Sequence, residues 1–369
     1  MKYYIIAGEA SGDLHGANLM RALLCQDADA QFRYWGGDAM QDVSGSPVRH
    51  IRDLAIMGFV EVVMHLRTVL GNIRFCKQDI LQYRPDVLVT IDYPGFNLKM
   101  AKFAHQHNIK TVHYISPQLW AWKKGRITSM RKNLDKLCYI LPFEQDFYAK
   151  NDFPQAVYVG HPLLDAVAQF RKDTTLMLDY EKPVVALLPG SRQQEIRRVL
   201  PTMLALADRH PEYQFVIAGM SLLGDSFYHD LIGNRNNVVV LRDQTYRLLS
   251  NAYAAIVCSG TATLETALFN VPQVVCYRAN AISVAIARRL IGTRIKYISL
   301  VNLIADKPIV TELVQNDMNV ANLEKEFSYI TTNLESRQRM LDEYAYLHTL
   351  LGSAGASDRA AQEIINELT

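Results

Sequence analysis

Short apolar runs alternate with segments of helical periodicity along most of this chain of 369 residues. The runs predicted as strands are Tyr3–Ala7, Phe32–Trp35, Val87–Ile91, Thr111–Ile115, Leu137–Ile140, Val157–Val159, Val184–Leu188, Gln214–Ala218, Val238–Leu241, Ala255–Cys258 and Gln273–Cys276. Such alternation is typical of βαβ units, in which helices connect parallel strands of one sheet. The sequence therefore predicts an α/β fold with parallel sheets, and it contains no repeat of solenoid period.

The alternation is interrupted between Gly160 and Pro183. This interval contains a Gly-His-Pro turn, an amphipathic piece and a polar stretch, and the strand-turn-helix pattern begins again at Val184. A chain of this length also exceeds what a single core usually holds. We predict two doubly wound, Rossmann-like domains that face a cleft, the first at residues 1–165 and the second at residues 180–350.

The end of the chain is predicted to be entirely helical from about Met318 onward, because its apolar residues keep spacings of three and four. A break at Gly352–Gly355 then precedes a last helix at Ser357–Leu368. A helix after such a break needs a surface on which to pack. We expect residues 353–369 to complete the first domain, either of the same chain or of a partner chain.

The composition argues against several classes of protein. The 39 basic and 37 acidic residues give a net charge of +2, which does not favour a nucleic-acid-binding protein. The five cysteines form no C-x-x-C pair, so neither a zinc site nor a disulfide framework is indicated. No stretch approaches the ~20 apolar residues of a membrane span, and the apolar run after Lys2 is too short for a signal peptide. We expect a cytoplasmic protein, and contact with a membrane surface stays open.

The first predicted strand runs directly into the turn Gly8–Asp13, which contains Glu9 and Ser11. Ligands of open α/β sheets bind beyond the carboxyl ends of the strands, so this turn is placed for recognition or chemistry. An equally good interpretation is a tight turn in which Ser11 or Asp13 caps the following helix. The glycine spacing differs from the dinucleotide fingerprint.

A strand-turn-helix junction opens the second domain and contains Gly190, Ser191 and Arg192. The free N–H groups at a helix N-terminus favour phosphate, and arginine can hold phosphate oxygens with two donors. The alternative is an ordinary turn with Ser191 as the N-cap. We favour phosphate binding, because the arginine would otherwise have no evident role.

A second such junction contains Ser259, Gly260 and Thr261, followed by Glu265 one turn inside the predicted helix. The hydroxyl and backbone N–H groups suit a diphosphate, and the carboxylate suits a pair of ribose hydroxyls. The alternative is a capping box in which Glu265 accepts from a backbone donor. Two such junctions in one domain indicate a nucleotide diphosphate.

Asp92 follows a buried strand of the first domain and has the position of a general base for an acceptor hydroxyl. The alternative is an Asx-turn into Pro94. His113 and Trp120 belong to or follow the next strand, and His161 precedes Pro162. All three are candidates for the acceptor side of the cleft. Trp120 is as well explained by packing in a core as by contact with a sugar or an acyl chain, and a lone histidine such as His161 is more often structural than catalytic.

A wide apolar face repeats at helical spacing through Phe59, Val63, Leu66 and Leu70. Such a face is usually part of a core, but it is also typical of an interfacial helix that binds lipid. A basic run between Lys123 and Lys136 is usually solvated, although it would also suit an anionic membrane surface.

Together these motifs resemble the lipid-A-disaccharide synthase family, glycosyltransferases with the GT-B fold. The matching segments appear in family order and are Ala7–Asp13, Met57–Val62, Ile91–Asn97, Ser116–Trp122, Leu188–Arg192, Ser259–Glu265 and Asn302-Leu303. They span nearly the whole chain. One departure is Gly95, where many members have aspartate, and this leaves Asp92 as the main candidate carboxylate.

The resemblance implies a metal-independent, inverting hexosyltransferase of lipopolysaccharide lipid A biosynthesis, without a cofactor. UDP-2,3-diacylglucosamine would donate its sugar to the 6-hydroxyl of 2,3-diacylglucosamine 1-phosphate, giving a β-1,6 disaccharide and UDP. Asp92 matches the family's proposed base, and Asn302 joins the two junctions of the second domain in the UDP-binding part. The family is peripheral at the inner face of the cytoplasmic membrane, and some members dimerise by exchanging C-terminal segments.

Two alternatives to this function stay open. One is another GT-B enzyme that uses a UDP-sugar, such as an N-acetylglucosaminyltransferase or a UDP-sugar 2-epimerase. The other is a non-catalytic sensor of nucleotide sugars. The apolar face favours the acylated substrate.

Overall fold

The computed structural model describes residues 1–54, 66–119, 125–172, 177–279 and 296–369. The chain divides into two compact units. Unit 1 is Met1–Asp165 together with Ser353–Thr369, and unit 2 is Ala166–Gly352. Each unit is built around one parallel β-sheet.

The sheet of unit 1 has seven strands in the order β3-β2-β1-β4-β5-β6-β7. The strands are β1 Lys2–Ala7, β2 Gln31–Gly36, β3 Arg49–His50, β4 Val87–Ile91, β5 Lys110–Tyr114, β6 Lys136–Tyr139 and β7 Ala156–Tyr158. The helices of this part are α1 Ala10–Gln26, α2 Asp38–Ser44, α3 Leu66–Tyr83, α4 Pro94–His105, α5 Arg126–Asn133, α6 Glu144–Ala149 and α7 Pro162–Lys172, with a 3₁₀ turn at Ile51–Leu54. Helix α7 continues into unit 2.

The sheet of unit 2 has six strands in the order β10-β9-β8-β11-β12-β13. The strands are β8 Val184–Leu188, β9 Gln214–Gly219, β10 Val238–Arg242, β11 Ala252–Cys258, β12 Gln273–Tyr277 and β13 Thr311–Val314. The helices are α8 Gln193–Ala207, α9 Gly224–Ile232, α10 Thr245–Asn251, α11 Thr261–Leu268, α12 Leu300–Ala305, α13 Val320–Thr331 and α14 Leu334–Leu351, with 3₁₀ turns at Ser221–Leu223 and Gln315–Asp317.

The two sheets confirm the α/β class and the doubly wound topology. All paired strands are parallel. The strand order reverses between β1 and β4 in unit 1, and between β8 and β11 in unit 2. In open α/β sheets such reversals create the crevice in which ligands bind.

The core of unit 1 explains why these segments are strands and helices. The buried residues of strands β1 and β4 are almost entirely apolar or aromatic, with Thr90 as the polar exception, as expected for strands covered on both faces. On one face, Tyr4, Ile6 and Leu88 pack with Trp35 and with the apolar residues of helices α3 and α4. The packing holds the carboxyl ends of β1 and β4 rigidly side by side.

The C-terminal helix α15, Ala356–Asn366, completes unit 1. It packs against α1 and β6, and it buries Ala356, Ala360, Ala361 and Ile364. The Asp165 carboxylate accepts from the backbone N–H groups of Gly355, Ala356 and Ser357 at 2.5, 3.2 and 2.9 Å. A residue almost two hundred positions earlier thus satisfies the free donors at the start of this helix.

Candidate functional site

The first candidate site lies at the strand reversal of unit 1. Strands β1 and β4 pair with Ala7 opposite Ile91, so Gly8 and Asp92 follow neighbouring strand ends. The ring of Tyr93 lies over Gly8, and a Cβ at Gly8 would lie 2.5 Å from that ring. Only glycine fits there, because any side chain would displace the tyrosine.

Asp92 is held in a constrained backbone conformation. Asp92 and Tyr93 both have positive φ, 44° and 47°, a region that costs non-glycine residues about 1–3 kcal/mol each and is common at functional sites. The Asp92 N–H donates to the Tyr114 carbonyl at 3.0 Å. The buried side chain of Asn97 donates to the carbonyls of Ile91 and Asp92, at 3.0 and 2.7 Å. These bonds fix where the carboxylate points.

The surroundings of Asp92 favour its protonated form. Burial, the larger cause, and the nearby Glu9 carboxylate together raise the pKa of this carboxyl from 3.8 to about 6. A carboxyl with a pKa near the working pH is suited to general base catalysis, because it is ionised yet still accepts a proton readily.

The turn after β1 contains both solvent-accessible and buried structural residues. Glu9 is the N-cap residue of α1 but its side chain makes no capping hydrogen bond, and Ser11 is exposed in the first helical turn. Asp13 is buried and accepts from the N–H groups of Gly37, Ala39 and Met40 at 2.6, 3.0 and 3.2 Å. The interpretation of Ser11 or Asp13 as the cap of α1 is therefore wrong, since Asp13 caps α2.

The structure places both candidate histidines inside unit 1 rather than on an accessible surface. The His113 ring contacts the Thr90 hydroxyl through Nδ1 at 2.7 Å, and its Nε2 has no hydrogen-bond partner among the described residues. Burial lowers the pKa of His113 to about 4. Burial and the neighbouring His15 lower the pKa of His161 to about 3. Both rings are neutral at pH 7, and their contact with an acceptor stays a prediction.

Several predicted residues cannot be placed in this site. Trp120 lies outside the described residues, as do Phe59 and Val63 of the apolar face. Leu66 begins helix α3. Leu70, in the same helix, is 55% exposed.

The first junction of unit 2 is a glycine turn at the end of β8. Gly190 has a φ of 108°, which favours glycine, and a Cβ there would lie 3.0 Å from Glu195 Oε2. Arg192 is the N-cap residue of α8, without a side-chain cap, so the interpretation of Ser191 as N-cap is wrong. Ser191 is exposed. Arg192 Nη1 pairs with Glu195 Oε1 at 3.5 Å, and this exposed ion pair leaves the guanidinium accessible to a ligand.

The second junction lies beside the first, because β8 and β11 are neighbours with Leu188 opposite Val257. Gly260 is the N-cap residue of α11, and as a glycine it has no side chain that could cap the helix. Ser259 is anchored on both sides: its N–H donates to the Cys276 carbonyl at 2.9 Å, and its hydroxyl donates to the Ile298 carbonyl at 2.8 Å. Gly260 and Thr261 are exposed. Two helix N-termini thus start from adjacent strand ends, as a diphosphate site requires.

Glu265 is not part of a capping box. Its Oε1 accepts from the Tyr246 hydroxyl at 2.9 Å, and no described backbone N–H donates to it. Burial raises the pKa of Glu265, while the hydrogen bond from Tyr246 lowers it. No pattern in the sequence points to Tyr246, since this residue lies in a different helix nineteen positions earlier.

Asn302 is buried and its side chain is fully engaged within unit 2. Its Nδ2 donates to the Val310 carbonyl and to Glu312 Oε1, both at 2.9 Å, and its Oδ1 accepts from the Val310 N–H at 3.0 Å. Both amide protons are therefore used within unit 2, and a direct contact of Asn302 with a nucleotide stays a prediction.

Two general features of the described residues bear on the chemistry. They contain no group of three or more histidine, cysteine, aspartate or glutamate side chains arranged to hold a metal ion. None of the helices in the described part of the chain is both long and apolar enough to cross a membrane.

Solved structures share this fold at low sequence identity. A UDP-GlcNAc 2-epimerase from Neisseria meningitidis, bound to UDP-GlcNAc, superposes with a TM-score of 0.68 at 14% identity, covering 100% of this chain and 99% of that one. The glycosyltransferase of kitacinnamycin gives the same TM-score of 0.68 at 14% identity, with the same coverage of 100% and 99%. Likeness at this identity concerns the fold alone, and the predicted GT-B class is confirmed.

Sequence relatives are much closer. The family described as "Lipid-A-disaccharide synthetase" matches residues 3–365. A lipid-A-disaccharide synthase from Syntrophus aciditrophicus is 38% identical over 97% of this chain and 95% of its own length. Another from Chromohalobacter salexigens is 37% identical over 99% of this chain and 96% of its own length. These matches confirm the resemblance seen in the motifs: the chain belongs to the lipid-A-disaccharide synthase family.

Proposed function

We propose that this protein transfers the sugar of UDP-2,3-diacylglucosamine to the 6-hydroxyl of 2,3-diacylglucosamine 1-phosphate, forming the β-1,6 lipid A disaccharide 1-phosphate and UDP. The main support, beside family membership, is Asp92: a carboxyl at the strand reversal of unit 1, with a constrained backbone and a pKa of about 6. No other carboxyl of the described residues combines this position with this pKa.

Asp92 acts as the general base. With a pKa of about 6, the carboxyl is about nine-tenths ionised at pH 7. It accepts the proton of the acceptor 6-hydroxyl while the hydroxyl oxygen attacks the anomeric carbon of the donor. The bond between that carbon and the diphosphate oxygen breaks, UDP leaves with the electron pair, and the anomeric configuration inverts.

Unit 2 binds the UDP part of the donor. The backbone N–H groups of the junction at Gly190–Arg192 and those of Gly260 and Thr261 receive the diphosphate, together with the Arg192 guanidinium. Negative charge grows on the diphosphate as the bond breaks, and helix N-termini and arginine stabilise such charge without reorganising. Glu265, oriented by Tyr246, accepts from the ribose hydroxyls.

Glu9 and Ser11 contribute to acceptor binding. Their turn follows β1, next to Asp92, and two carboxylates make it a poor site for a diphosphate. Sugar hydroxyls, in contrast, are good donors to carboxylates.

The test is the identity of the product. Purified protein incubated with diacylated donor and acceptor should give a product with the mass of the tetraacylated disaccharide 1-phosphate, and the Asp92→Asn variant should bind UDP but form no product. Epimerisation of UDP-N-acetylglucosamine, or its transfer, without turnover of the diacylated donor would favour the alternative UDP-sugar enzymes. Unchanged turnover by Asp92→Asn would remove Asp92 as the base.

We also propose that the protein works at the inner face of the cytoplasmic membrane. Leu70 and Phe75 of helix α3 are 55% and 37% exposed, and the exposed Arg67 and Arg74 belong to the same helix. An apolar surface beside cationic side chains suits an anionic bilayer. Leu70→Asp should reduce sedimentation with anionic vesicles, whereas Leu81→Asp, at the far end of the helix, serves as the control. Equal binding by both variants and the native protein would contradict this role of Leu70.

Finally, we propose that two copies pair by exchanging residues 353–369. The support is that α15 follows a break whose glycines have positive φ, 77° at Gly352 and 101° at Gly355, and that Asp165 of either copy offers the same acceptors to its donors. Light scattering should give the mass of two chains for the native protein. A mass of one chain at every concentration would contradict the exchange.

A further inference from the structure

Glu312 lies on β13, one of the two edge strands of the sheet of unit 2, and is paired in register with Val275 of β12. Neither the motifs nor the spacing of the sequence drew attention to it. Its carboxylate collects an unusual number of donors, all from one short segment that precedes and begins helix α12.

Four hydrogen bonds end on this carboxylate. Oε2 accepts from the Ile298 N–H at 2.9 Å. Oε1 accepts from the Ser299 N–H at 2.9 Å, from the Ser299 hydroxyl at 2.7 Å and from Asn302 Nδ2 at 2.9 Å. A carboxylate accepts at both oxygens, so it is the side chain best suited to hold so many donors at once.

The same segment reaches the candidate diphosphate site through a single residue. Ile298 donates its N–H to Glu312 and accepts the Ser259 hydroxyl at its carbonyl, at 2.8 Å. Glu312 and Ser259 therefore hold opposite sides of one residue. The Ile298 carbonyl also shares one peptide plane with the Ser299 N–H, which donates to the same carboxylate. If Glu312 released both N–H groups, the carbonyl that anchors Ser259 would be free to rotate away.

The direction of the Ser259 bond has a chemical consequence. A serine hydroxyl has one proton, and here that proton is donated to Ile298. The hydroxyl therefore has no proton left for a phosphate oxygen. The donors that this junction offers to a diphosphate are the backbone N–H groups of Gly260 and Thr261, and Ser259 fixes their positions.

We propose that Glu312 is a positioning residue for the nucleotide: it fixes Ile298, Ile298 fixes Ser259, and the Ser259–Thr261 junction thereby presents its backbone donors to the diphosphate. This inference rests on the proposed function, because it concerns the UDP-binding part of the same reaction. Glu312 itself contacts neither the ligand nor the reacting atoms.

The test compares UDP binding by the native protein, Glu312→Gln, Ser259→Ala and the double variant, measured by titration calorimetry. In Glu312→Gln one acceptor oxygen becomes an NH₂ group, which leaves at least one backbone N–H of the segment without an acceptor. We expect the Kd for UDP to rise roughly tenfold, the factor that corresponds to losing one such bond. The KM for the donor should rise with it, while the KM for the acceptor stays unchanged.

The control is Glu326→Gln. Glu326 accepts from the side chain of Thr311, the neighbour of Glu312 on β13, at 2.9 Å. Its replacement also removes one carboxylate near this strand, but the Ile298–Ser299 segment is untouched. UDP binding by this variant should equal that of the native protein.

The double variant tests the route. If Glu312 and Ser259 act through Ile298, the double variant binds UDP no more weakly than the weaker single variant, because the two changes release the same contact. Additive losses of UDP affinity in the double variant would show that Glu312 and Ser259 do not act through Ile298. Native UDP affinity in Glu312→Gln would overturn the positioning role of Glu312. Thermal unfolding of each variant is measured alongside UDP binding. If Glu312→Gln does not fold, Ser259→Ala tests the inference, and native UDP affinity in Ser259→Ala would overturn the inference. A native protein that fails to bind UDP would refute the proposed function, and the inference with it.

Discussion

The charge of Glu9 should be visible in the pH dependence of the reaction. The pKa of Asp92 is raised from 3.8 to about 6, with burial as the larger cause and the Glu9 carboxylate as the second. Glu9→Gln removes that negative charge, which favours the ionised form of Asp92 and lowers its pKa. Since Glu9 supplies the smaller part of a shift of about two units, we expect the pKa to fall by about half a unit to one unit.

The sign and size of the effect follow from the base being active only when ionised. At pH 5 a base with a pKa of about 6 is about one-tenth ionised, and a fall of half a unit to one unit raises this fraction about threefold to fivefold. The ratio of kcat/KM at pH 5 to its value at pH 8 should rise by the same factor. A ratio is the proper measure, because Glu9→Gln also weakens acceptor binding at every pH.

The assay is the pH profile of kcat/KM for the acceptor, recorded between pH 4.5 and pH 8.5, roughly centred on the perturbed value. Ser11→Ala is the matched control, because Ser11 belongs to the same turn and its replacement changes no charge. The reasoning would be refuted if the acidic limb of Glu9→Gln coincided with that of the native protein, or if it moved to higher pH.

Three further outcomes are expected from the structure. Gly8→Ala places a Cβ 2.5 Å from the Tyr93 ring, so it should lower both the free energy of unfolding, by about 1–3 kcal/mol, and kcat. Gly12→Ala is the control, because the nearest atom to its new Cβ is 3.4 Å away, and it should change both quantities much less. Equal losses of stability for the two variants in denaturant titrations would contradict the steric argument. Asp165→Asn replaces the charged acceptor at the start of α15 and should destabilise that helix by about 1 kcal/mol. The backbone amides of α15 should then exchange hydrogen faster, and unchanged exchange would show that the cap contributes little. Arg192→Lys loses the two-donor grip on phosphate and should weaken UDP binding by roughly tenfold without affecting uridine, and parallel losses for both ligands would count against a phosphate contact.

The parts of the fold that repeat at short range could be predicted from the sequence. Buried parallel strands show themselves as apolar runs, and each run that ends in a glycine turn places the following residues at a strand end. For this reason Asp92, Gly190 and Gly260 were found at strand ends. The strands that escaped prediction lie at sheet edges: β3 has two residues, and β13 begins with Thr311 and Glu312, which are less apolar than buried strands require.

The parts that depend on distant contacts could not be predicted. Asp13 has the spacing of a helix cap, but it caps α2 rather than α1, because the fold brings Gly37 to it. Glu265 has the spacing of a capping box, but the fold offers it Tyr246 instead. The spacing of a motif fixes only which residues are near in the chain, and a carboxylate binds whichever donors the tertiary structure supplies.

The docking of α15 also determines when the first unit can finish folding. Residues 353–369 are synthesised after all of unit 2, yet they belong to unit 1 and bury part of its apolar surface. Until they emerge from the ribosome, the apolar surface of α1 and β6 that they bury stays exposed, and the Asp165 carboxylate lacks its donors. The amino-terminal unit is therefore the last to be completed during synthesis, so a chain shortened by its final helix would damage the unit that is farthest from the cut along the sequence.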